Sequence, residues 1–131
     1  MESTQSIYPT LRYTDASAAI EFLKEAFGFE EKEVHRDGGT VVHAELSFGG
    51  SLVMLGDITE GEFAKIAPPP GSGANYLIVE DADAAHERAA AAGAEIVIPP
   101  ADQDYGSRDF TARDTEGNLW SFGTYRPANS P

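Results

Sequence analysis

The chain has 131 residues, 41% hydrophobic and 24% charged, with 22 acidic against 9 basic side chains and a formal net charge of −13. That length holds one domain with a proper core, the acidic excess repels a nucleic-acid backbone, and no apolar run reaches the ~18 residues of a membrane span. The absence of cysteine excludes disulfides, thiolate metal ligands and cysteine nucleophiles.

The polar start, Met1-Glu2-Ser3-Thr4-Gln5-Ser6, lacks the basic-then-apolar pattern of a secretory leader, so a cytoplasmic protein is expected. Ile7 to Tyr13 reads as a strand, and Pro9, which has no N–H to give a ladder, places it at an edge or crossing. Thr14 or Asp15 caps a helix whose Ala18, Ala19, Phe22, Leu23, Ala26 and Phe27 share one face, and Gly28 stops it. Phe29 to Arg36 reads as a polar strand, followed by a turn at Asp37-Gly38-Gly39. Along Thr40 to Phe48, alternation puts Val42, Ala44 and Leu46 on one face and Val41, His43, Glu45 and Ser47 on the other. Gly49-Gly50 then turns the chain into a strand from Ser51 to Leu55. Gly56 to Gly73, with Pro68-Pro69-Pro70, reads as a linker or as a loop over a pocket. A strand from Ala74 to Val79, an alanine-rich helix ending at Gly93, and a strand from Ala94 to Ile98 come next. Pro99-Pro100 opens a loop. Strands over Arg108 to Arg113 and Asn118 to Tyr125, joined by a turn at Asp114-Thr115-Glu116-Gly117, complete the pattern, and the tail from Pro127 to Pro131 is expected to fray.

The pattern is written twice. Thr14-Asp15-Ala16-Ser17-Ala18-Ala19-Ile20 matches Glu80-Asp81-Ala82-Asp83-Ala84-Ala85-His86 at an offset of 66, and Gly50-Ser51-Leu52 matches Gly117-Asn118-Leu119 at 67. The expected organisation is one α+β domain of two tandem βαβββ modules, residues 7–57 and 74–125, joined by a linker over 58–73.

Tyr105-Gly106-Ser107-Arg108-Asp109-Phe110 followed by Arg113-Asp114-Thr115-Glu116-Gly117-Asn118-Leu119-Trp120, together with His43-Ala44-Glu45-Leu46 and Gly49-Gly50-Ser51-Leu52-Val53-Met54-Leu55, resembles the vicinal oxygen chelate superfamily. That group contains glyoxalase I, extradiol dioxygenases and bleomycin-resistance proteins. The resemblance, over residues 7 to 125, implies curved mixed sheets forming a cup with helices outside, and a symmetric homodimer, sometimes with an exchanged N-terminal strand. It also implies that metal-using members carry ligands on the first and fourth strands of each module. In this chain those positions are Tyr8, Met54, Ala74 and Ser121. None is the imidazole or carboxylate that a divalent first-row metal takes, so no cofactor is expected.

Within the implied cup, His43 and Glu45 share a strand face. Three readings stand: a polar pocket wall, a general base at Glu45 tuned by His43, or a displaced divalent-metal site with two of the usual three ligands. At the 67-residue offset His43 pairs with Phe110 and Val41 with Arg108, which puts Arg108 and Phe110 on the opposite wall. Arg108 there serves a ligand carboxylate or an internal salt bridge to Asp109, Glu45 or Asp104. Tyr105 reads as a lid residue. Trp120 and Phe122 read as packing beneath the second helix, and His35 and His86 as exposed histidines without a role. The expected ligand-lining residues are thus Tyr8, His43, Glu45, Met54, Tyr105, Arg108, Phe110 and Ser121. The function implied is metal-free binding of a small molecule, a cationic aromatic antibiotic being the chemically apt class for an acidic cup. The alternative is a lyase, isomerase or dioxygenase-like enzyme acting at His43 and Glu45.

Overall fold

The computed structural model describes residues 5–127; the expectations for residues 1–4 and 128–131 lie outside the described residues. The first module runs β1 (Thr10–Tyr13), α1 (Ala16–Phe27), β2 (Glu30–Asp37), β3 (Thr40–Phe48) and β4 (Ser51–Asp57). A short helix, α2 (Glu62–Ile66), follows, then β5 (Ala74–Ile78), α3 (Ala82–Ala91), β6 (Glu95–Asp102), β7 (Arg108–Arg113) and β8 (Leu119–Gly123). Each module folds into a four-stranded mixed sheet, in the orders β1-β4-β3-β2 and β5-β8-β7-β6. The first strand of each lies parallel to the fourth, and the other pairs are antiparallel. This is the duplicated α+β architecture that the repeat implies.

The start of α1 follows the sequence signal, and α3 starts on an aspartate of the same kind. Asp15 accepts a hydrogen bond from the Ala18 amide at 3.1 Å, and Asp81 accepts one from Ala84 at 3.0 Å. These side chains satisfy amides that have no partner within the helix. Gly28 ends α1 at φ +83°, a left-handed geometry that favours glycine. The Arg88 guanidinium of α3 donates to the Glu25 and Lys24 carbonyls at 3.0 and 3.2 Å, capping the end of α1 from the other module.

Four local readings change. The first ladder begins at Thr10, although the Met54 amide still donates to the Pro9 carbonyl at 2.9 Å. The linker contains α2, which buries none of its side chains and so carries no apolar periodicity. β6 continues through Pro99 and Pro100 to Asp102, because it is an edge strand where a missing N–H costs no ladder bond; its register breaks between Ile98 and Ala101. In β3, strict alternation fails at a bulge. His35 pairs with His43 while Arg36 pairs with Val41, which leaves Val42 extra. Val41 therefore joins Ala44 and Leu46 in the core, and Val42 is exposed.

One core serves both modules. Phe27 of the first lies 5.9 Å from Trp120 and 4.9 Å from Phe122 of the second, and Phe29 meets Trp120 edge-on at 5.4 Å. Trp120 and Phe122 are buried, as expected, but their aromatic partners include the first module as well as the second. A buried carboxylate adds a polar tie. Asp114 accepts the Tyr13 hydroxyl at 2.6 Å, the Trp120 indole N–H at 3.0 Å and the Asn118 amide at 3.0 Å. Glu116 accepts the Thr14 and Asp15 amides at 2.7 and 2.8 Å, fastening the last turn to the start of α1.

Candidate functional site: two open sheet faces

Each sheet turns one face to the shared core and leaves the other open. On β4, Val53 and Leu55 are buried, so Met54 points away from the core. Register carries that face across the sheet: Met54 lies opposite Thr10 on β1 and Glu45 on β3, and Glu45 lies opposite Glu33 on β2. His43, two residues from Glu45, shares the face. Its Nε2 lies 2.8 Å from Glu45 Oε2, with the two side chains 41% and 27% exposed. His35 stacks on His43 with ring centroids 6.2 Å apart. A hollow of about 150 Å³ on this face is lined by Thr10, Arg12, His43, Met54 and Phe63. Tyr8 lies just before β1, partly buried.

The second open face is built the same way. Trp120 and Phe122 point to the core, so Ser121 points away, opposite Tyr76 on β5 and Thr111 on β7. The Ser121 and Thr111 hydroxyls are 2.8 Å apart. Asp109 lies opposite Gly123. Its carboxylate accepts the Tyr105 hydroxyl at 2.7 Å and the Ser107 hydroxyl in a short contact. That bond to Asp109 is the main reason the Tyr105 phenol is pushed up to about 12. Tyr105 and Tyr125 meet edge-on at 5.5 Å, and the Tyr76 hydroxyl donates to the Tyr125 carbonyl at 2.7 Å. Ala74 sits exposed at the start of β5, opposite Leu119.

Two of the expected wall residues do not line this face. Phe110 is 1% exposed and stacks on Phe122 at 4.9 Å on the core side. His86 rests edge-on against it at 5.4 Å, which gives that histidine a packing contact. Arg108 reaches Asp83 of α3 and Asp102 of β6, each at 3.1 Å, so its charge is spent in internal ion pairs with partners other than those expected. The cause is one residue of register. Glu45 lies opposite Met54 and Thr111 opposite Ser121, so the third strands repeat at 66 residues (45 to 111) while the fourth strands repeat at 67 (54 to 121). In a strand, a one-residue slip moves every side chain to the other face. At 66, Glu45 matches Thr111 and His43 matches Asp109; the offset seen at Thr14 and Glu80 carried the signal that would have found them. Tyr76 and Tyr125 had no such signal.

Met54, Glu45 and His43 come together on one face, and Ser121 and Tyr105 belong to the other. Both faces turn away from the shared core, and the hollow at Met54 holds no residue of the second face. A cleft of about 330 Å³ between the modules, lined by Gln5, Phe29, Phe48, Asn75 and Trp120, contains none of the expected residues. Tyr8, Met54, Ala74 and Ser121, the positions that the resemblance implies for metal ligands, offer a phenol, a thioether, a methyl and a hydroxyl, which do not fit a divalent first-row ion. Among the described residues, no three His, Asp or Glu side chains are grouped as such an ion requires. No helix among them is long and apolar enough to cross a membrane.

Comparison with known proteins agrees with this architecture. Residues 6–122 match the Glyoxalase/Bleomycin resistance protein/Dioxygenase superfamily. An uncharacterised protein of Mycobacterium bovis is 35% identical over 124 residues, covering 90% of this chain and 82% of that protein. The crystal structure of TioX from Micromonospora sp. ML1 superposes with a TM-score of 0.79 at 33% identity, covering 92% of this chain and all (100%) of that one. Lactoylglutathione lyase from Agrobacterium tumefaciens shares the fold at a TM-score of 0.68 and 23% identity, over 93% of this chain and 94% of its own. The duplicated βαβββ architecture and the match over nearly the whole chain give one conclusion: this chain belongs to the Glyoxalase/Bleomycin resistance protein/Dioxygenase superfamily.

Proposed function

We propose that this chain is a cytoplasmic small-molecule binding protein of the glyoxalase/bleomycin-resistance type that works without a metal and sequesters a cationic aromatic compound such as an antibiotic. The observation that carries this reading is the chemistry of the open faces. The metal-ligand positions hold Tyr8, Met54, Ala74 and Ser121, while the faces around them present carboxylates and half-exposed tyrosines. Sequestration needs no catalytic group, and a chain of net charge −13 attracts cations. Because each face turns away from the shared core, the ligand pocket is complete in a homodimer that sets the first face of one copy against the second face of the other. Exposed Ile7, Phe63 and Ile66 are apolar surface suited to such pairing.

The test is calorimetry with bleomycin-, mitomycin- and thiazole-type compounds, with sedimentation in parallel. The expected result is salt-sensitive binding by a dimer. No heat from any of these compounds overturns the reading.

One observation favours a second reading. The His43–Glu45 hydrogen bond, solvent-accessible on an open face, is the geometry of a carboxylate base with an imidazole partner. An enzyme of this kind, metal-free or with a displaced metal, predicts turnover or stoichiometric metal that is lost in His43→Ala and Glu45→Gln. Elemental analysis of the purified protein separates the two readings.

A further inference from the structure

The second open face holds a carboxylate without a cation. Asp109 is bound by the Tyr105 and Ser107 hydroxyls, and among the described residues no Lys, Arg or His nitrogen lies within 4 Å of it. Its neighbour Arg108 points to the other side of the sheet and is occupied by Asp83 and Asp102. Three tyrosines stand beside this carboxylate: Tyr105 bonded to it, Tyr125 edge-on to Tyr105, and Tyr76, whose hydroxyl approaches Gly123 opposite Asp109. Tyr76, Tyr105 and Tyr125 are 41%, 54% and 45% exposed, so each keeps ring surface open to solvent. The perpendicular Tyr105–Tyr125 pair forms a corner, at 85° between ring planes, and Tyr76 is held beside it through the Tyr125 carbonyl. The floor is glycine. A Cβ at Gly123 would overlap the Asp109 carboxylate and sit 2.6 Å from the Tyr76 hydroxyl oxygen. The strand therefore leaves open the space in which the acid and the phenol converge. The Ser107 hydroxyl, which donates to Asp109, also accepts the Tyr125 amide at 3.0 Å, so acid and rings are fixed by one network.

We propose that Tyr76, Tyr105, Tyr125 and Asp109 form a recognition site for an alkylated ammonium group. A quaternary or tertiary ammonium is attracted to tyrosine faces through the ring quadrupole and to the carboxylate through its charge. It has few or no N–H groups to satisfy, which suits a carboxylate whose hydrogen bonds are already made by hydroxyls. A guanidinium or a primary amine, with its many donors, finds fewer free acceptors here. The site rests on the small-molecule reading above and assigns the ligand's cation to the second open face, away from Glu45.

The experiment titrates the full chain with benzyltrimethylammonium and follows backbone amide shifts. The neutral shape match 3,3-dimethylbutan-1-ol serves as control, and bleomycin calorimetry is run on the same preparation. Shifts are expected at Tyr76, Tyr105, Asp109, Gly123 and Tyr125, with little response to the alcohol. Asp109→Asn should weaken binding by about tenfold at low salt, and Tyr125→Leu, which keeps the backbone bonds of that residue, by roughly two- to fivefold. Shifts centred on His43 and Glu45, or unchanged affinity in Asp109→Asn and Tyr125→Leu, overturn the site and leave the binding reading standing. Bleomycin heat without any benzyltrimethylammonium response does the same. Silence from both overturns the site, and the reading falls with it when mitomycin- and thiazole-type compounds also give no heat.

Discussion

Asp114 gathers more of the fold than any other side chain described above. It takes three side-chain donors, and its Oδ1 also accepts the Glu116 and Asn118 amides at 3.0 and 3.1 Å. Asp114→Ala removes the acceptor of the buried Tyr13 hydroxyl and of the buried Trp120 indole N–H. It should cost about 3–5 kcal/mol, read as a lower urea midpoint with altered emission from the single tryptophan. Tyr13 itself is pushed far above the ordinary phenol range, first by burial and then by the negative charge of Asp114. The sign follows from which state loses its proton first. Below the unfolded value of about 10 both states hold the proton and the contribution to stability is complete; above it the unfolded chain ionises, the folded one does not, and stability falls. Urea midpoints measured from pH 8 to pH 11 should therefore drop at the alkaline end, and Tyr13→Phe should flatten that drop.

At the scale of elements, the sequence was most readable where a side chain acts on its own backbone. Asp15 and Gly28 mark the ends of α1 by local chemistry, and α1 begins and ends where the sequence places it; α3 ends at Ala91, capped at Ala92, short of the Gly93 at which the sequence suggests a stop. Replacing Asp15 or Asp81 by Ala should each cost about 1 kcal/mol in thermal or urea unfolding. Reading failed where the decisive contact is across strands. The β3 bulge depends on how His35, Arg36, Val41 and His43 pair, and no residue in Thr40–Phe48 announces it. The single-residue difference between the third- and fourth-strand repeats is of the same kind. It left Met54 and Ser121 matched to each other but paired His43 with Phe110 instead of Asp109. Pro99-Pro100 reads as a break after Ile98, whereas the edge strand β6 tolerates both prolines and runs to Asp102. Of the candidate site, the His43–Glu45 pair was legible from alternation alone. The tyrosine cluster was not, because Tyr76, Tyr105 and Tyr125 come from three segments that meet only when the second sheet forms.

At the scale of the whole molecule, the duplicated modules do not behave as two beads on a linker. Phe27 sits against Trp120 and Phe122, and Arg88 closes the end of the first module's helix. Phe27→Ala should cost about 3–5 kcal/mol and lower the stability of both modules together. A single unfolding transition, shared by tryptophan emission and by amide exchange in β2 and β3, is the expected signature; two separate transitions would contradict a common core. The same packing fixes how the open faces are distributed, and this has a consequence for genetics. If copies pair as proposed, every pocket borrows its His43–Glu45 wall from one chain and its Asp109–tyrosine wall from the other. A chain crippled at Asp109 and a chain crippled in the first face then fail alone, yet a mixed pair contains one undamaged pocket beside one doubly damaged pocket. Co-expression of two inactive alleles would rescue binding, and neither allele would be dominant over the other.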